Sequence, residues 1–326
     1  MYRDHSVGVV VPAYNEENFV AGVVRELPAF VDEIYLVDDA STDGTWAAML
    51  GISGAKSHPQ RSGTQRLSTA SDGLGRGLLA DRVADYETDG RLTRIRHAEN
   101  RGAGGAVKTG YLAALEDEVD IVATIDGDGQ MDAALLPRIL DPVVEGRAGY
   151  AKGDRLAGVS LVHEMPPFRL FGNLLLTGLT RIATGYWKLS DPQNGFTAIS
   201  REALLEADVE SLWEYYGYMN QLLARLNAAG VGVADVPMAS SYGDEVSGID
   251  YVEYIRKVSW LLLVSFLLRL RRKYVDEDWQ GKRLAISTGL VGVALALLAR
   301  SVRAEEGRND RGEIERGNDT RPEAGR

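Results

Sequence analysis

Residues 121–130 read Ile-Val-Ala-Thr-Ile-Asp-Gly-Asp-Gly-Gln, a short apolar run that ends in two acids. Such a run is typical of a strand that is covered on both faces. The pattern occurs twice earlier in the chain, where Val7-Gly-Val-Val-Val11 leads into Pro12-Ala-Tyr-Asn-Glu16 and Ile34 to Val37 leads into Asp38-Asp39. Polar residues that follow buried strands mark the carboxyl edge of a parallel sheet, which is where ligands bind in open α/β folds.

Helical segments separate these strands, which predicts an α/β fold with a doubly wound, mainly parallel sheet. We expect helices over Asn15 to Leu27 and Ala103 to Leu115, and a further strand over Leu92 to Arg96. The segment Gly51 to Asp89 is rich in Gly, Ser, Arg and Asp and has little periodicity. We therefore interpret residues 51–89 as a mobile surface insertion, with a functional lid as the alternative.

Composition excludes several classes of function. The 326 residues contain no cysteine, which excludes a disulfide framework, a cysteine-based zinc site and a cysteine nucleophile. The formal net charge of -11 argues against a nucleic-acid partner, which would need a basic face. No apolar signal segment precedes Val7, so we expect the N-terminal domain to stay in the cytoplasm.

The chain after residue 240 has a different character. Its two apolar runs, Val258 to Leu268 and Leu284 to Ala299, are shorter than the ~20 residues that span a bilayer comfortably. A basic cluster at residues 269–273 follows the first run, as expected at a cytoplasmic membrane face. Burial of both runs in a core is the alternative. We predict a catalytic domain over residues 1–240, membrane-associated helices over residues 241–302 and a disordered tail over residues 303–326.

Asp126 and Asp128 are candidate ligands of a hard divalent cation. Two carboxylates one residue apart can hold Mg²⁺ or Mn²⁺, and such a cation is usually shared with substrate phosphates. Taken alone, the pair would equally fit a polar turn that caps a helix at Asp132. The neighbouring motifs favour the metal site.

Three motifs together resemble the donor site of family 2 inverting glycosyltransferases, which have the GT-A fold. They are Val10-Val-Pro-Ala-Tyr-Asn-Glu-Glu17, Val37-Asp-Asp-Ala-Ser-Thr-Asp-Gly-Thr45 and Asp126-Gly-Asp-Gly-Gln130. The resemblance covers roughly Val7 to Ser200, apart from the insertion. It implies a Rossmann-like nucleotide-diphospho-sugar transferase fold, a nucleotide-diphosphate sugar as donor, and Mg²⁺ or Mn²⁺ as cofactor.

The same resemblance assigns roles to individual residues. It implies that Asp126, Asp128 and Gln130 hold the metal, and that Asp126 also contacts the donor. Pro12 and Tyr14 would form an apolar shelf for the nucleobase, while Glu16 and Asp39 would accept hydrogen bonds from the base or ribose.

The glycine-rich segment Asn100-Arg-Gly-Ala-Gly-Gly-Ala-Val-Lys-Thr109 is a poor match to a Walker phosphate loop, because Val107 stands where glycine should precede lysine. The family resemblance implies a helix start that packs beside the donor diphosphate, with free N–H groups facing it.

Three later segments resemble dolichyl-phosphate mannosyltransferases and related polyprenyl-phosphate glycosyltransferases. They are Lys152-Gly-Asp-Arg155, Phe168-Arg-Leu170 and Ser190-Asp-Pro-Gln-Asn-Gly-Phe196. The resemblance implies that Arg155 and Arg169 bind the phosphate of the lipid, with ordinary surface charge as the alternative for both. This chain has Gln193-Asn194 where those relatives commonly have Met-Ser, which leaves the donor sugar open.

The two kinds of acceptor differ in their need for a base. A phosphate monoester has a second pKa of about 6, so it is mostly dianionic near neutral pH and needs no strong general base. A hydroxyl acceptor needs a carboxylate base, and Asp191 is the candidate for that role.

We therefore expect an enzyme that transfers a sugar with inversion to polyprenyl or dolichyl phosphate at the cytoplasmic membrane face. Protein glycosylation or cell-surface glycan assembly would use its product. A family 2 enzyme with a hydroxyl acceptor and a non-catalytic membrane scaffold are the alternatives, and the oligomeric state stays open.

Overall fold

The computed structural model describes residues 1–54, 79, 81–157, 167–215, 217–238 and 251–271. For residues 167–174 and 251–257 it describes the backbone alone. The chain divides into two units, Met1–Arg269 and Leu270–Arg326, and of the second unit only the first two residues are described.

A mixed sheet of eight strands forms the centre of the first unit. In chain order the strands are β1 (Val7–Ala13), β2 (Glu33–Asp38), β3 (Val83–Asp89), β4 (Leu92–His97), β5 (Ile121–Thr124), β6 (Tyr150–Asp154), β7 (Thr197–Ser200) and β8 (Val233–Pro237). Across the sheet their order is β3-β4-β2-β1-β5-β7-β6-β8. The pairs β1–β2, β1–β5, β2–β4 and β6–β8 are parallel, whereas β3–β4, β5–β7 and β6–β7 are antiparallel.

Helices lie between most of the strands. The described α-helices are α1 (Val20–Glu26), α2 (Thr45–Leu50), α3 (Ala103–Glu116), α4 (Leu136–Val144), α5 (Pro167–Thr184), α6 (Arg201–Glu206), α7 (Tyr218–Ala228) and α8 (Tyr251–Arg271). Short 3-10 turns cover Ala133–Leu135 and Val209–Ser211. Helix α3 packs across β1 and β2, and Gly110 allows this close approach because a Cβ there would overlap the Val10 side chain.

Two apolar clusters cover the two faces of the sheet. Val9 and Val11 of β1 belong to one cluster, together with side chains from α1 and α4. Val10 belongs to the other, together with side chains from α3 and α7. Successive residues of a strand point to opposite faces, so a strand covered on both sides needs apolar residues at every position. This explains the unbroken apolar runs in the sequence.

The sheet is mainly parallel, as predicted, but two of its eight strands, β3 and β7, run against the other six. Strand β7 runs antiparallel to both of its neighbours, β5 and β6. Because β6 and β7 are antiparallel neighbours, the chain that joins them begins and ends at one edge of the sheet. That edge also carries the carboxyl ends of β1, β2 and β5, so the segment before β7 lies beside the predicted acids.

Strand β3 corrects the end of the predicted insertion. Val83–Asp89 falls inside residues 51–89, yet it pairs in antiparallel register with β4, from Val83 opposite His97 to Asp89 opposite Leu92. It is an edge strand with half-buried and exposed side chains, so its sequence lacks the apolar run of a central strand. Residues 55–78 and 80 lie outside the described residues, and a mobile insertion there stays a prediction.

Helix α8 contains the first of the two apolar runs near the C-terminus. Its Val258 and Leu262 pack against Ala183 of α5, so one side of the run is buried against α5. Among the helices that the structure describes, none combines the length and the apolar character needed to cross a bilayer. The run from Leu284 to Ala299 and the tail from residue 303 lie outside the described residues.

Candidate active site

A cavity of about 590 Å³ opens where β1, β2 and β5 end. The residues that line it include six that the sequence predicted for the donor or the metal, namely Pro12, Tyr14, Glu16, Asp39, Asp126 and Asp128. The others are Ala13, Asn100, Gly102, Ala103, Ala106, Gly127 and Tyr215. Gln130 is not among the lining residues, and its backbone N–H donates to Asp128 Oδ1 at 2.9 Å.

The loop with the two acids lies directly against β1. The N–H of Gly127 donates to the carbonyl of Pro12 at 3.0 Å. A Cβ at position 127 would lie 2.9 Å from the same carbonyl oxygen, so glycine is needed for the contact with β1. Its packing on β1 fixes the acids at the cavity wall.

Asp126 and Asp128 act on each other electrostatically. Burial is the main cause that raises the pKa of Asp126, and the negative charge of Asp128 raises it further. The positive charge of Arg155 acts in the opposite direction, and the resulting pKa is about 7. A buried pair of like charges favours either a proton or a bound cation. The pair therefore fits a divalent cation, which Asp126 and Asp128 would hold and which would offset the charge of a diphosphate.

The protein offers this cation only part of a coordination shell. Within the described residues, no three or more His, Cys, Asp and Glu side chains come together as a metal site. Mg²⁺ in nucleotide enzymes is commonly held by one or two carboxylates, with phosphate and water oxygens as the remaining ligands. Asp126 and Asp128 would hold the metal in that way.

Asp39 lies buried at the other end of the cavity wall. Its Oδ1 accepts a hydrogen bond from the backbone N–H of Arg101 at 2.8 Å and lies 2.6 Å from His97 Nδ1. His97 Nε2 is in turn 2.8 Å from Thr109 Oγ1, which accepts from Arg82 at 3.0 Å. The sequence analysis identified Asp39 but missed the buried side chains that orient it.

The loop after β1 differs from the predicted helix start at Asn15. Helix α1 begins only at Val20, and Asn15 has a left-handed backbone with φ +59°. The Asn15 side chain accepts from the N–H of Thr42 at 2.9 Å, and the N–H of Glu16 donates to Thr45 Oγ1 at 2.7 Å. The loops after β1 and β2 therefore stabilise each other, which holds Tyr14 and Glu16 at the cavity.

The glycine-rich start of α3 also differs from its prediction. The N–H of Gly105 donates to the carbonyl of Glu214 at 2.7 Å, so it is not free for a diphosphate. A Cβ at Gly104 would lie 2.7 Å from that carbonyl oxygen. The glycines make room for the segment Trp213–Tyr215, whose Tyr215 lines the cavity. Gly102 and Ala103 still face the cavity.

Glu214 holds this segment through three cations. Its carboxylate accepts from Lys108 Nζ at 2.9 Å, from Arg101 at 3.3 Å and from Arg82. Burial by itself would raise the pKa of Glu214, but the bonds to Lys108 and Arg82 outweigh it and lower the pKa to about 2. Sequence analysis missed this cluster because its members come from distant parts of the chain.

The segment before β7 brings two predicted acceptor residues together. Arg155, just after β6, forms a side-on pair with Asp191, with Nε 2.7 Å from Oδ2 and Nη2 2.9 Å from Oδ1. The backbone N–H of Arg155 also donates to Asp191 Oδ2 at 3.1 Å. Asn194 Nδ2 donates to the same oxygen at 3.3 Å. The carboxylate of Asp191 is therefore fully engaged in orienting its neighbours.

This pairing decides what Asp191 can do chemically. Burial acts to raise the pKa of Asp191, but the hydrogen bonds and charge of Arg155 outweigh it, so that the pKa lies below the usual range of a carboxyl. A carboxylate with a lowered pKa is a weak proton acceptor, which makes Asp191 a poor general base.

The segment before β7 packs against the loop with the two acids at Gly195. A Cβ at this position would lie 2.7 Å from Asp126 Oδ2, so the backbone before β7 packs directly on the candidate metal ligand. Arg169 lies in the first turn of α5, and its side chain is outside the described part of the structure. A role for Arg169 at the lipid phosphate stays a prediction.

Comparison with known proteins agrees with this architecture. The model of glycosyl transferase family 2 matches residues 8–63 and 76–207, more than half of the chain. The UDP-N-acetylglucosamine–dolichyl-phosphate N-acetylglucosaminyltransferase of Methanococcus voltae is 26% identical over 240 residues, which cover 73% of this chain and 87% of that protein. The undecaprenyl-phosphate mannosyltransferase of Micrococcus luteus is 24% identical over 233 residues, or 70% of this chain and 81% of that protein.

A solved structure shows the same fold. Glucosyl-3-phosphoglycerate synthase from Mycobacterium tuberculosis, in complex with uridine diphosphate, has a TM-score of 0.50 and 21% identity, and the match covers 81% of this chain and 80% of that chain. The mixed α/β sheet thus matches that of GT-A glycosyltransferases. With three donor-site motifs at one cavity and a family match over most of the catalytic domain, the chain belongs to glycosyl transferase family 2.

Proposed function

We propose that this protein transfers a sugar, with inversion, from a nucleotide-diphosphate sugar to a polyprenyl or dolichyl phosphate at the cytoplasmic face of a membrane. Its product would serve protein glycosylation or cell-surface glycan assembly. The donor assignment is supported by the cavity, where the apolar and aromatic surface of Pro12 and Tyr14 lies with the carboxylates of Asp39, Asp126 and Asp128.

The side-on pair of Arg155 and Asp191 carries the acceptor assignment. Asp191 holds the guanidinium of Arg155 in one orientation. The positive charge of Arg155 acts on Asp126 and opposes the rise in the pKa of that carboxyl. A fixed guanidinium matches the geometry of phosphate oxygens. A hydroxyl acceptor would instead need a base, and the lowered pKa of Asp191 argues against that role.

The proposed reaction is one displacement. A phosphate oxygen of the lipid attacks the anomeric carbon while the bond from that carbon to the nucleoside diphosphate breaks on the opposite side. The attacking oxygen is already ionised, since the second pKa of a phosphate monoester is about 6. Arg155 orients the incoming phosphate, and Asp126 and Asp128 would hold Mg²⁺ or Mn²⁺. When bound, the metal neutralises the charge of the departing diphosphate.

Two relatives support the choice of acceptor class. The names of the Methanococcus voltae and Micrococcus luteus proteins specify dolichyl phosphate and undecaprenyl phosphate, with different sugars. Both are polyprenyl phosphates, so the shared chemistry is the phosphate at the end of an isoprenoid chain. The donor sugar differs between them and has to be measured for this protein.

An exposed apolar surface on α5 and α8 supports the proposed membrane association. The sequence contains no acid from residue 167 to 190 or from residue 258 to 273, although the whole protein is strongly acidic. Tryptophan and basic residues beside leucine are typical of helices that lie in the interface of a membrane. The exposed apolar side chains on this surface are Leu175, Leu179, Ile182, Trp187, Trp260, Leu263 and Leu268.

Vesicle sedimentation tests the membrane surface. Glutamates at Leu179 and Ile182 should release the full-length protein from vesicles that contain anionic lipid, because they place charge in the apolar layer. Leu205→Glu is the control, since Leu205 is even more exposed but lies on α6. Unchanged sedimentation of the double variant would contradict a membrane role for this surface.

Product analysis tests the function itself. The purified protein is incubated with Mn²⁺, a panel of radiolabelled UDP- and GDP-sugars, and either polyprenyl phosphate or free polyprenol. We expect label in the solvent-extracted lipid with the phosphate acceptor and one of the donors. Transfer to a sugar or protein hydroxyl, with no labelled lipid, would overturn the proposal.

A further inference from the structure

Lys152 is a charged side chain that is completely withdrawn from solvent next to the turn at Ser190 and Asp191. Its ammonium group lies 2.7 Å from Asp235 Oδ1 and donates to the carbonyl oxygens of Asp191, at 3.1 Å, and Ser190. Asp235 Oδ2 accepts from the N–H of Ser190 at 2.8 Å. Both residues of the ion pair therefore bind the backbone at residues 190–191. Lys152 donates to two carbonyl oxygens, and Asp235 accepts from an N–H.

The backbone that this ion pair holds is strained. Asp191 has φ +40°, in the left-handed region that side chains other than glycine disfavour. Strained residues persist where the surrounding contacts fix them, and they concentrate at functional sites. Here the same residue forms the side-on pair with Arg155. The ion pair of Lys152 and Asp235 thus lies one residue away from the guanidinium that faces the acceptor.

The other residues at the end of β6 act on the same turn. Asp154 Oδ1 accepts from the Ser190 hydroxyl at 3.0 Å. Residues 190–191 are therefore bound by three residues from a stretch of four at the end of β6, namely Lys152, Asp154 and Arg155. Buried ion pairs contribute little to stability compared with well-packed apolar residues of the same volume. Stability therefore gives a weak reason for a buried lysine at this position.

We propose that Lys152 is a positioning residue for the acceptor arginine. It fixes the turn at residues 190–191, so that Asp191 holds the guanidinium of Arg155 in the orientation that receives the lipid phosphate. This inference rests on the proposed function, and it concerns acceptor use alone. None of the residues that Lys152 contacts lines the donor cavity.

The test replaces both charges of the ion pair. In the double variant Lys152→Met/Asp235→Asn the methionine fills the volume of the lysine and the amide oxygen can still accept from Ser190, so no buried charge is left alone. We expect transfer to polyprenyl phosphate to fall about tenfold or more, with a raised KM for the acceptor, because the arginine loses its fixed orientation. Binding of UDP with Mn²⁺, measured by calorimetry, should stay within about twofold of wild type.

A second arm separates positioning from general damage. In an Arg155→Ala background, the changes at Lys152 and Asp235 should lower the rate of transfer by less than about a further twofold, because the arginine that Lys152 positions is already absent. If Lys152 and Asp235 have only a structural role, the reduction in transfer rate that they cause should multiply with the reduction caused by Arg155→Ala. The double variant Arg225→Met/Asp208→Asn is the control, since it removes an ion pair of 3.0 Å whose two residues do not line the cavity. It should leave the KM for the acceptor unchanged.

The outcomes separate the two proposals. Wild-type protein that gives no transfer to polyprenyl phosphate overturns the proposed function. If wild type transfers and Arg155→Ala is impaired, but Lys152→Met/Asp235→Asn keeps normal acceptor kinetics, the positioning role is wrong. Multiplying losses also overturn it. If the double variant fails to fold, Ser190→Ala provides the test, because it removes only the hydrogen bond from the Ser190 hydroxyl to Asp154. A raised KM for the acceptor would support a positioned turn. Unchanged acceptor kinetics would overturn it.

Discussion

The proposed donor side and the proposed acceptor side of the site are built in different ways. On the donor side, Asp39 and Asp126 come within two residues of the ends of β2 and β5, so the geometry of the sheet places them. On the proposed acceptor side, Arg155 is held by Asp191, 36 residues further along the chain, and the buried Lys152 binds the backbone carbonyl of Asp191. A site placed by strand ends can be predicted from local motifs, whereas one held by ion pairs between distant segments requires the structure.

The largest expected effect concerns the donor side. Asp128→Ala should lower transfer about a thousandfold or more, since a bound metal contributes several kcal/mol to stabilising a departing diphosphate. The fold should be intact, because Asp128 lies in a loop at the cavity wall. Asp132→Ala is the control, since Asp132 only caps the turn at Ala133–Leu135. Normal Mn²⁺-dependent transfer by Asp128→Ala would show that the acids do not form a metal site.

The next effect concerns stability and its dependence on pH. The folded protein lowers the pKa of Glu214 to about 2, so this carboxylate stabilises the fold above the ordinary pKa of 4.5, and the contribution is lost as pH falls toward 2. Glu214→Gln should lower the free energy of unfolding by about 3 kcal/mol at pH 7 and by much less at pH 3.

Urea unfolding at the two pH values measures this difference for wild type and Glu214→Gln. The exposed Glu210→Gln, from the same part of the chain, should change the free energy of unfolding little at either pH. An equal effect of Glu214→Gln at pH 7 and pH 3 would mean that the three cations do not stabilise the carboxylate.

A smaller effect is expected where the two sides meet. Gly195→Ala would place a Cβ 2.7 Å from Asp126 Oδ2, so the carboxylate must move. We expect Mn²⁺-dependent binding of UDP to weaken about tenfold, with little change in stability, since a displaced ligand weakens a metal site. Gly178→Ala on α5 meets nothing within 4 Å and should leave binding unchanged. If Gly195→Ala binds UDP and Mn²⁺ normally, the two sides are independent.

The strands show how far the sequence alone could go. The apolar runs of β1, β2 and β5 predicted these strands to within about two residues of their observed ends, because strands covered on both faces need apolar residues throughout. Strand β3 was missed because an edge strand has no such requirement. The antiparallel direction of β7 was not predicted, because the direction of a strand depends on where the chain crosses the sheet.

The candidate site shows the same division. Six predicted residues line one cavity because each lies at the end of a strand or in the loop that follows it. Tyr215 reaches that cavity because the neighbouring Glu214 contacts α3, more than a hundred residues earlier in the chain, and no local pattern marks either residue. Asp191 was predicted as a possible base, but only the structure shows that its carboxylate is engaged by Arg155.

The most direct test of the central claim compares two acceptors in two proteins. Transfer from the donor sugar identified in the panel is measured to polyprenyl phosphate and to the matched polyprenol, in wild type and in Arg155→Ala. We predict that wild type uses the phosphate and not the alcohol. Arg155→Ala should lose roughly ten- to a hundredfold in rate, as expected for a lost charge-assisted contact of about 1.5–3 kcal/mol, with UDP binding unchanged.

Arg155→Lys should recover part of this loss, because a lysine supplies the charge without the planar guanidinium. Equal use of the alcohol by wild type, or full activity of Arg155→Ala on the phosphate, would contradict the account and favour a transferase that acts on a hydroxyl group.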